Sequence, residues 1–292
     1  LRSEGKAYLG MIGMSSGAIL NVILDPILIF GFKMGIAGAA WATIISQFVS
    51  FIILTSHFIS KRSNLTLSLR LFRLRWWIYR SIIVIGSPSL IRSLMHTVAA
   101  IAMNVFAAPF GDEAIAAMSI TTRVMQFLNS ALIGFGQGMQ PVAGFSWGAK
   151  RYDRLREAFL FCTRTAVIAF LFIAAVCFAG ARAIMLLFLK DPVVVAIGTT
   201  AIRAQCVLLP VTAFNTLGGM IFQSTGHGKT SSILALVRQG VFFVPLVALL
   251  SRTIGLFGLQ TAQPCADLLT CALTLLYVIP FMRRLKRLVT VG

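Results

Sequence analysis

Asn21-Val22-Ile23-Leu24-Asp25-Pro26 lies inside the first long apolar run of the chain. The residues around it suit lipid, yet the stretch holds an amide, a carboxylate and a proline. An ionisable group at that depth costs about 2.5–3.5 kcal/mol even on lenient insertion scales, so its presence needs a reason. Asn21 and Asp25 are four residues apart, and a helix puts both on one face. Pro26 has no N–H and frees the carbonyl of Val22. Two side-chain oxygens and a loose carbonyl in one small volume make a candidate cation site. The structural alternative is an interhelical hydrogen bond with Pro26 as a simple kink.

The rest of the chain supports a membrane setting for this stretch. Its residues are 58% hydrophobic and only 12% charged, against about 25% charged in soluble domains. In lipid every backbone polar group must be satisfied internally, which leaves helices or closed barrels. The apolar runs reach about 20 residues or more without alternation, so helices are expected. Eight spans are predicted, near 8–30, 36–58, 81–109, 115–146, 157–188, 194–225, 230–252 and 256–281.

The net charge of +18 is concentrated between these runs, most densely from Lys61 to Arg80 and from Arg283 to Arg287. That pattern is a topology signal and excludes nucleic acid as the partner. Lys61, Arg62, Arg70, Arg73, Arg75 and Arg80 share one side with Lys150, Arg151, Arg154, Arg156, Lys229 and the basic tail. Both ends of the chain are therefore expected in the cytoplasm. The segment Leu65 to Tyr79 reads as an interfacial amphipathic helix, with Trp76 and Trp77 at the headgroup level.

An internal repeat is visible. Pro26, Gly35-Ile36-Ala37-Gly38 and Ala42 match Pro245, Gly255-Leu256-Phe257-Gly258 and Ala262 at an offset of 219 to 220 residues. A duplicated unit ending in such a helix pair divides the chain into four parts. Residues 1–60 hold the last two helices of an N-terminal lobe, and 61–80 form a basic cytoplasmic inter-lobe loop. Residues 81–282 form a six-helix C-terminal lobe, and 283–292 a basic cytoplasmic tail. Four helices would precede Leu1.

Asp25 lies eight residues before the turn near Lys33 and Thr43 ten after it, so Thr43 can add a hydroxyl oxygen at about the same depth. Asn21, Asp25 and Thr43 would form a hard-oxygen cluster suited to H⁺ or Na⁺. A threonine bonded back to its own helix is the alternative. Asp267 is the other acid well inside a span, and Arg238 and Gln239 reach similar depth, so Arg238–Asp267 reads as a structural ion pair. Arg92, His96, Arg123, Arg203 and Gln239 are candidate cavity-lining residues, with hydrogen bonding to main-chain carbonyls as the alternative for the three arginines. The five cysteines and three histidines show no metal-ligand spacing, and Na⁺ at Asp25 is the sole metal considered. No catalytic constellation is present, so the chain is not expected to be an enzyme.

Asn21-Val-Ile-Leu-Asp25-Pro26-Ile-Leu-Ile-Phe30-Gly31 followed by Gly35-x-x-Gly38-Ala-Ala-x-Ala42-Thr43 resembles the fifth and sixth helices of MATE (multidrug and toxic compound extrusion) transporters. Gly136-Gln137-Gly138-Met-Gln140-Pro141, with Gly144, Gly148 and Tyr152, resembles the end of their eighth helix. Gln223-x-x-Gly226-x-Gly228-Lys229, Arg238-Gln239-x5-Pro245 and Pro264-x-Ala266-Asp267 resemble the tenth to twelfth. Pro88-Ser89 and Asn104 look closest to the MepA-type branch.

The resemblance implies an all-α polytopic fold of twelve helices in two lobes, of which this chain is a C-terminal fragment. It implies a monomeric antiporter in the cell (inner or plasma) membrane, exporting drug-like organic compounds, cationic or amphipathic, in exchange for H⁺ or Na⁺ by alternating access. No cofactor other than the coupling ion is expected. The family's cation-site motif positions fall on Asn21, Asp25 and Thr43. The family's further aspartate would lie upstream of Leu1, and Arg92-Ser-Leu-Met95-His96 lacks the glutamate that some members carry. A lipid-linked oligosaccharide flippase of the same superfamily and a non-transporting truncated product are the competing expectations.

Overall fold

Apolar runs that cannot leave a backbone N–H unpaired in lipid fold as helices. The structure, a computed structural model, describes residues 6–59 and 75–291, and these are helical almost throughout. They form two compact units divided between Arg75 and Trp76. The predicted amphipathic segment from Leu65 lies mostly outside the described residues. Its last residues, from Trp76, already belong to the first helix of the second unit.

The first unit is a hairpin of α1 (Ala7–Pro26) and α2 (Gly35–Ile59). Pro26 ends the regular ladder of α1, and a π-helical turn, Ile27–Gly31, follows at once. The Ile27 N–H turns to the Leu24 carbonyl, and the Phe32 N–H reaches Ile27, 3.0 Å away. Gly35, with φ of +54°, reverses the chain where a side chain would be strained. Glycines set the approach of the two helices. A Cβ on Gly13 would strike Leu54, one on Gly17 would strike Ser50 and the Ser46 carbonyl, and one on Gly38 would strike the Leu28 backbone. The outer faces are apolar and exposed, as at Phe30 and Ile36.

The second unit contains α3 (Trp76–Ala107), α4 (Asp112–Gly148), α5 (Tyr152–Phe188), α6 (Pro192–Val207), α7 (Leu209–Ser224), α8 (Gly228–Leu236), α9 (Val244–Thr253) and α10 (Leu256–Val291). A π-helical segment, Val237–Phe243, joins α8 to α9. Helix α4 is central. Its small and apolar positions Ala117, Leu132, Gly136 and Met139 are buried among α5, α6 and α7. At one end of the unit Trp147, Phe222 and Phe281 surround the ring of His227 at centroid separations of 5.5, 6.3 and 5.6 Å.

Two expectations change. Among the described residues six helices are long and apolar enough to cross a membrane, or seven if α6 and α7 count as one bent span, so the predicted eight are not all recovered by that criterion. Helix α4 falls short because Thr122, Gln126 and Asn129 face a cavity rather than lipid. The continuous helix predicted over 194–225 is instead bent by 54° between α6 and α7. Pro210 lies at the start of α7 and cannot supply the N–H that a continuous ladder requires.

The sequence repeat has a backbone counterpart. Gly255, like Gly35, has positive φ, at +68°. Gly258, like Gly38, faces the backbone of the preceding helix, here at Leu250. Replacing Gly258 by Ala should lower stability by about 1–3 kcal/mol, because the Cβ meets main chain that cannot rotate away. Gly134→Ala, with open space at its Cβ, should be neutral or stabilising by up to about 1 kcal/mol. Thermal unfolding of the purified variants in detergent tests the pair.

Candidate functional site

Both units carry polar groups at mid-helix depth, and each is built differently. In the hairpin the glycine contacts fix an antiparallel register. Stepping one turn from Gly17 and Ser50 brings Asn21 level with Ser46, and another turn brings Asp25 level with Ala42 and its neighbour Thr43. The Asn21 amide nitrogen and the Ser46 hydroxyl are both buried without a hydrogen-bond partner. Thr43 donates its hydroxyl to the Ala39 carbonyl at 2.9 Å. That bond is the back-bonded alternative, and it leaves the lone pairs of the oxygen free to accept. Among the described residues no hydrogen bond joins Asn21, Asp25 and Thr43 to one another. Pro26 deprives the Val22 carbonyl of its i+4 donor at the start of the π-helical turn.

In the second unit the centre is Asp267, on α10 and 5% exposed. Arg238 pairs with it, Nε to Oδ1 at 2.7 Å and Nη2 to Oδ2 at 3.4 Å. The hydroxyl of Thr212 donates to Oδ2 at 2.8 Å, and the Gln263 amide to Oδ1 at 3.3 Å. The Asn215 amide donates to the Asp267 main-chain carbonyl at 2.8 Å. Arg238 also points Nη1 at Thr216, 3.5 Å away. The ion pair expected from depth is therefore present. The partners that complete it, Thr212, Asn215 and Thr216, follow helical spacing along α7. Spacing showed that they share a face but not that the face meets α10.

This cluster borders a cavity. Two adjoining pockets share His96, Asn129, Arg238 and Gln239, and Arg92 lines the second of them. Arg92, His96 and Gln239 line these pockets. Arg203 lines neither and takes the other course expected of it, a hydrogen bond to a main-chain carbonyl. It is exposed, its Nε donates to the Phe178 carbonyl at 3.3 Å, and its guanidinium lies 5.4 Å from the Phe178 ring centroid. Arg123 is also exposed and borders neither pocket. Periodicity gives depth along a helix, and both arginines turn away from the bundle axis.

A second polar group ties α3, near Pro88, to its neighbours. Pro88 frees the Val84 carbonyl, and the Ser87 hydroxyl takes its place at 3.2 Å. Gln223 donates to the Ile85 carbonyl at 3.1 Å and to Ser89 at 3.0 Å, and accepts from Gln140 at 3.4 Å. Sequence motifs far apart along the chain thus meet at one end of the unit.

An apolar helical bundle that buries an ion pair beside a polar cavity has the architecture of a polytopic membrane transport protein. The chain belongs to the MatE family, whose sequence model matches residues 88–249. Members of this family are transporters, not enzymes. The chain is 28% identical over 282 residues to the multidrug export protein MepA of Staphylococcus saprophyticus, covering 97% of this chain and 62% of that protein. For MepA of Staphylococcus aureus strain NCTC 8325 the identity is 26%, with the same coverage. The chain thus spans 62% of the length of the curated relatives it matches.

Among solved structures it resembles a MATE protein in the bent conformation, at 26% identity and a TM-score of 0.87 over 97% of this chain and 64% of that one. It also resembles a multidrug resistance MATE family transporter of the MOP superfamily in an outward-facing conformation, at 25% identity and a TM-score of 0.88, covering 95% and 63%.

Breaking the buried pair should be costly. Asp267→Asn or Arg238→Met should each lower stability by about 3–5 kcal/mol, because one charge is left alone in the interior. The double replacement should recover much of that loss. Unfolding midpoints of the three variants in one detergent check the expectation.

Proposed function

We propose that this chain carries the working parts of a cation-coupled antiporter that exports drug-like organic compounds by alternating access. In this reading α1 and α2 correspond to the fifth and sixth helices of a twelve-helix, two-lobe protein. Helices α3 to α10 then correspond to the seventh to twelfth, with α6 and α7 counted as one broken span and α8 and α9 as another. The protein is a multi-pass monomer of the cell membrane with both ends of this chain in the cytoplasm. Its relatives named as multidrug export proteins support export of small organic molecules.

The observation that carries the coupling role is Asp25. It is the one acid on α1, and it sits where the helix breaks into a π-turn. An ion entering there would find the Asp25 carboxylate, the carbonyl oxygen of Asn21's amide, the back-bonded oxygen of Thr43 and the freed carbonyl of Val22. These are hard oxygens, suited to H⁺ or Na⁺. The driving force is adequate. One charge moving down about 100 mV releases about 2.3 kcal/mol, which sustains a substrate gradient of about 50-fold. The bend between α6 and α7 and the segment Val237–Phe243 supply places where rigid parts can move against one another.

A flippase for lipid-linked oligosaccharides is the second reading, and Arg92 in the cavity favours it, because such lipids are anionic. The two readings part on Asp25→Asn. For the antiporter this variant should reach the membrane at wild-type levels and lose gradient-driven efflux of ethidium. Undiminished efflux would rule the coupling role out. A flippase should give cells no tolerance to ethidium at all.

A further inference from the structure

The charge balance of the cavity in the second unit is unequal. Arg92 and Arg238 line the same space. Arg238 is neutralised by Asp267. Both oxygens of that carboxylate also take hydrogen bonds from Thr212 and Gln263. Arg92 has no counterpart of this kind. Of the chain's eight acidic residues, those in this unit are Asp112, Glu113, Asp153, Glu157, Asp191 and Asp267. The first five stand at the starts of α4, α5 and α6. Asp267 alone lies deep in a helix, and it is already engaged. A half-buried guanidinium midway along α3 therefore lacks a carboxylate from its own unit. Leaving such a charge uncompensated in a low-dielectric interior is expensive.

A second observation concerns the same space. Asn215 is 5% exposed, and its Oδ1 has no hydrogen-bond partner. The Oε1 of Gln239 is buried and unpartnered too. Both residues line the cavity with Arg92, beside the apolar side chains of Ile133 and Leu234. The site thus presents a free cationic fork, two acceptors lacking donors, and an apolar wall.

We infer that this cavity takes the head of an organic anion, a carboxylate or phosphate group with an N–H or O–H donor beside it, anchored by Arg92, while the rest of an amphipathic compound extends out of it. The inference rests on the transport reading above and names the class of compound this cavity takes, ethidium-like cations binding outside it. The fork of Arg92 matches a carboxylate or phosphate in two parallel hydrogen bonds. The donor satisfies Asn215 or Gln239, and the apolar body lies on Ile133 and Leu234. Cationic compounds, expected from the family resemblance, meet an excess positive charge here.

The test uses the full chain purified in detergent, with 5-carboxyfluorescein as the anionic probe, phosphatidylglycerol as an anionic lipid and ethidium as the cationic probe. Fluorescence anisotropy reads binding, and thermal unfolding reads stabilisation. Carboxyfluorescein should bind and raise the unfolding midpoint. Arg92→Gln should weaken that binding about tenfold or more, the scale of a charged hydrogen bond. The same substitution should raise the midpoint of the ligand-free protein, because an uncompensated interior charge is gone. Arg92→Lys keeps the charge without the fork and should fall between the two. It also serves as the test if Arg92→Gln does not accumulate.

Equal carboxyfluorescein affinity in wild type and both variants would overturn the inference. So would failure of carboxyfluorescein and phosphatidylglycerol alike to bind or stabilise the wild type. Stabilisation by phosphatidylglycerol that Arg92→Gln abolishes would uphold the anionic site and assign its source to lipid. Ethidium efflux from cells, with no anion binding, would refute the site and leave the transport reading intact. Arg92-dependent anion binding without efflux of either dye would uphold the site and refute the antiporter reading.

Discussion

Asp267 is the point at which the second unit satisfies its deepest polar groups. A carboxylate inside an apolar bundle needs donors for both oxygens, and its neighbours supply them. Arg238 reaches it from the segment between α8 and α9, Thr212 from α7, and Gln263 from one turn earlier on α10. Asn215 takes up its main-chain carbonyl. Removing one donor leaves a charge that neither lipid nor apolar side chains can solvate. The group therefore ties three stretches of helix at one depth, and the cavity beside it inherits their polar side chains.

Helix α4 follows from the same constraint. A bundle with a polar centre needs at least one helix whose inner face is polar. Thr122, Gln126 and Asn129 give α4 that face, while Ala117, Leu132 and Met139 pack it elsewhere. The helix is as long as α5, but it lacks the long charge-poor apolar stretch that lets α5 cross a membrane. Helix α4 also turns Phe127, Val142 and Phe145 outward, so a polar inner face and an apolar outer face share one helix.

What could be read from sequence was position along each helix axis. Depth alone paired Arg238 with Asp267 and set Thr43 beside Asp25. Glycine and proline spacing revealed the repeated hairpin, which the positive φ angles of Gly35 and Gly255 repeat in the backbone. Position around the axis was not legible. Arg92 and Arg203 look alike in sequence, yet one lines the cavity and the other grips the Phe178 carbonyl. Thr212 and Asn215 gave no sign of their partner, because that partner lies more than fifty residues away on another helix. The break at Leu208 had a marker in Pro210, but hydropathy ran through it unchanged.

The two π-helical segments carry a consequence for the repeat. A π-turn holds an additional residue, so everything beyond it faces about 100° further round than a regular helix would allow. One such turn follows Pro26 and the other precedes Pro245. The two hairpins share glycines, prolines and a turn, yet the π-helical segment falls after the proline in one and before it in the other. Asp25 corresponds by position to Val244, and Arg238 to Ile19, so neither charge has a symmetric twin. A duplicated frame has thus been given two unlike chemistries by moving a single residue's worth of helical phase.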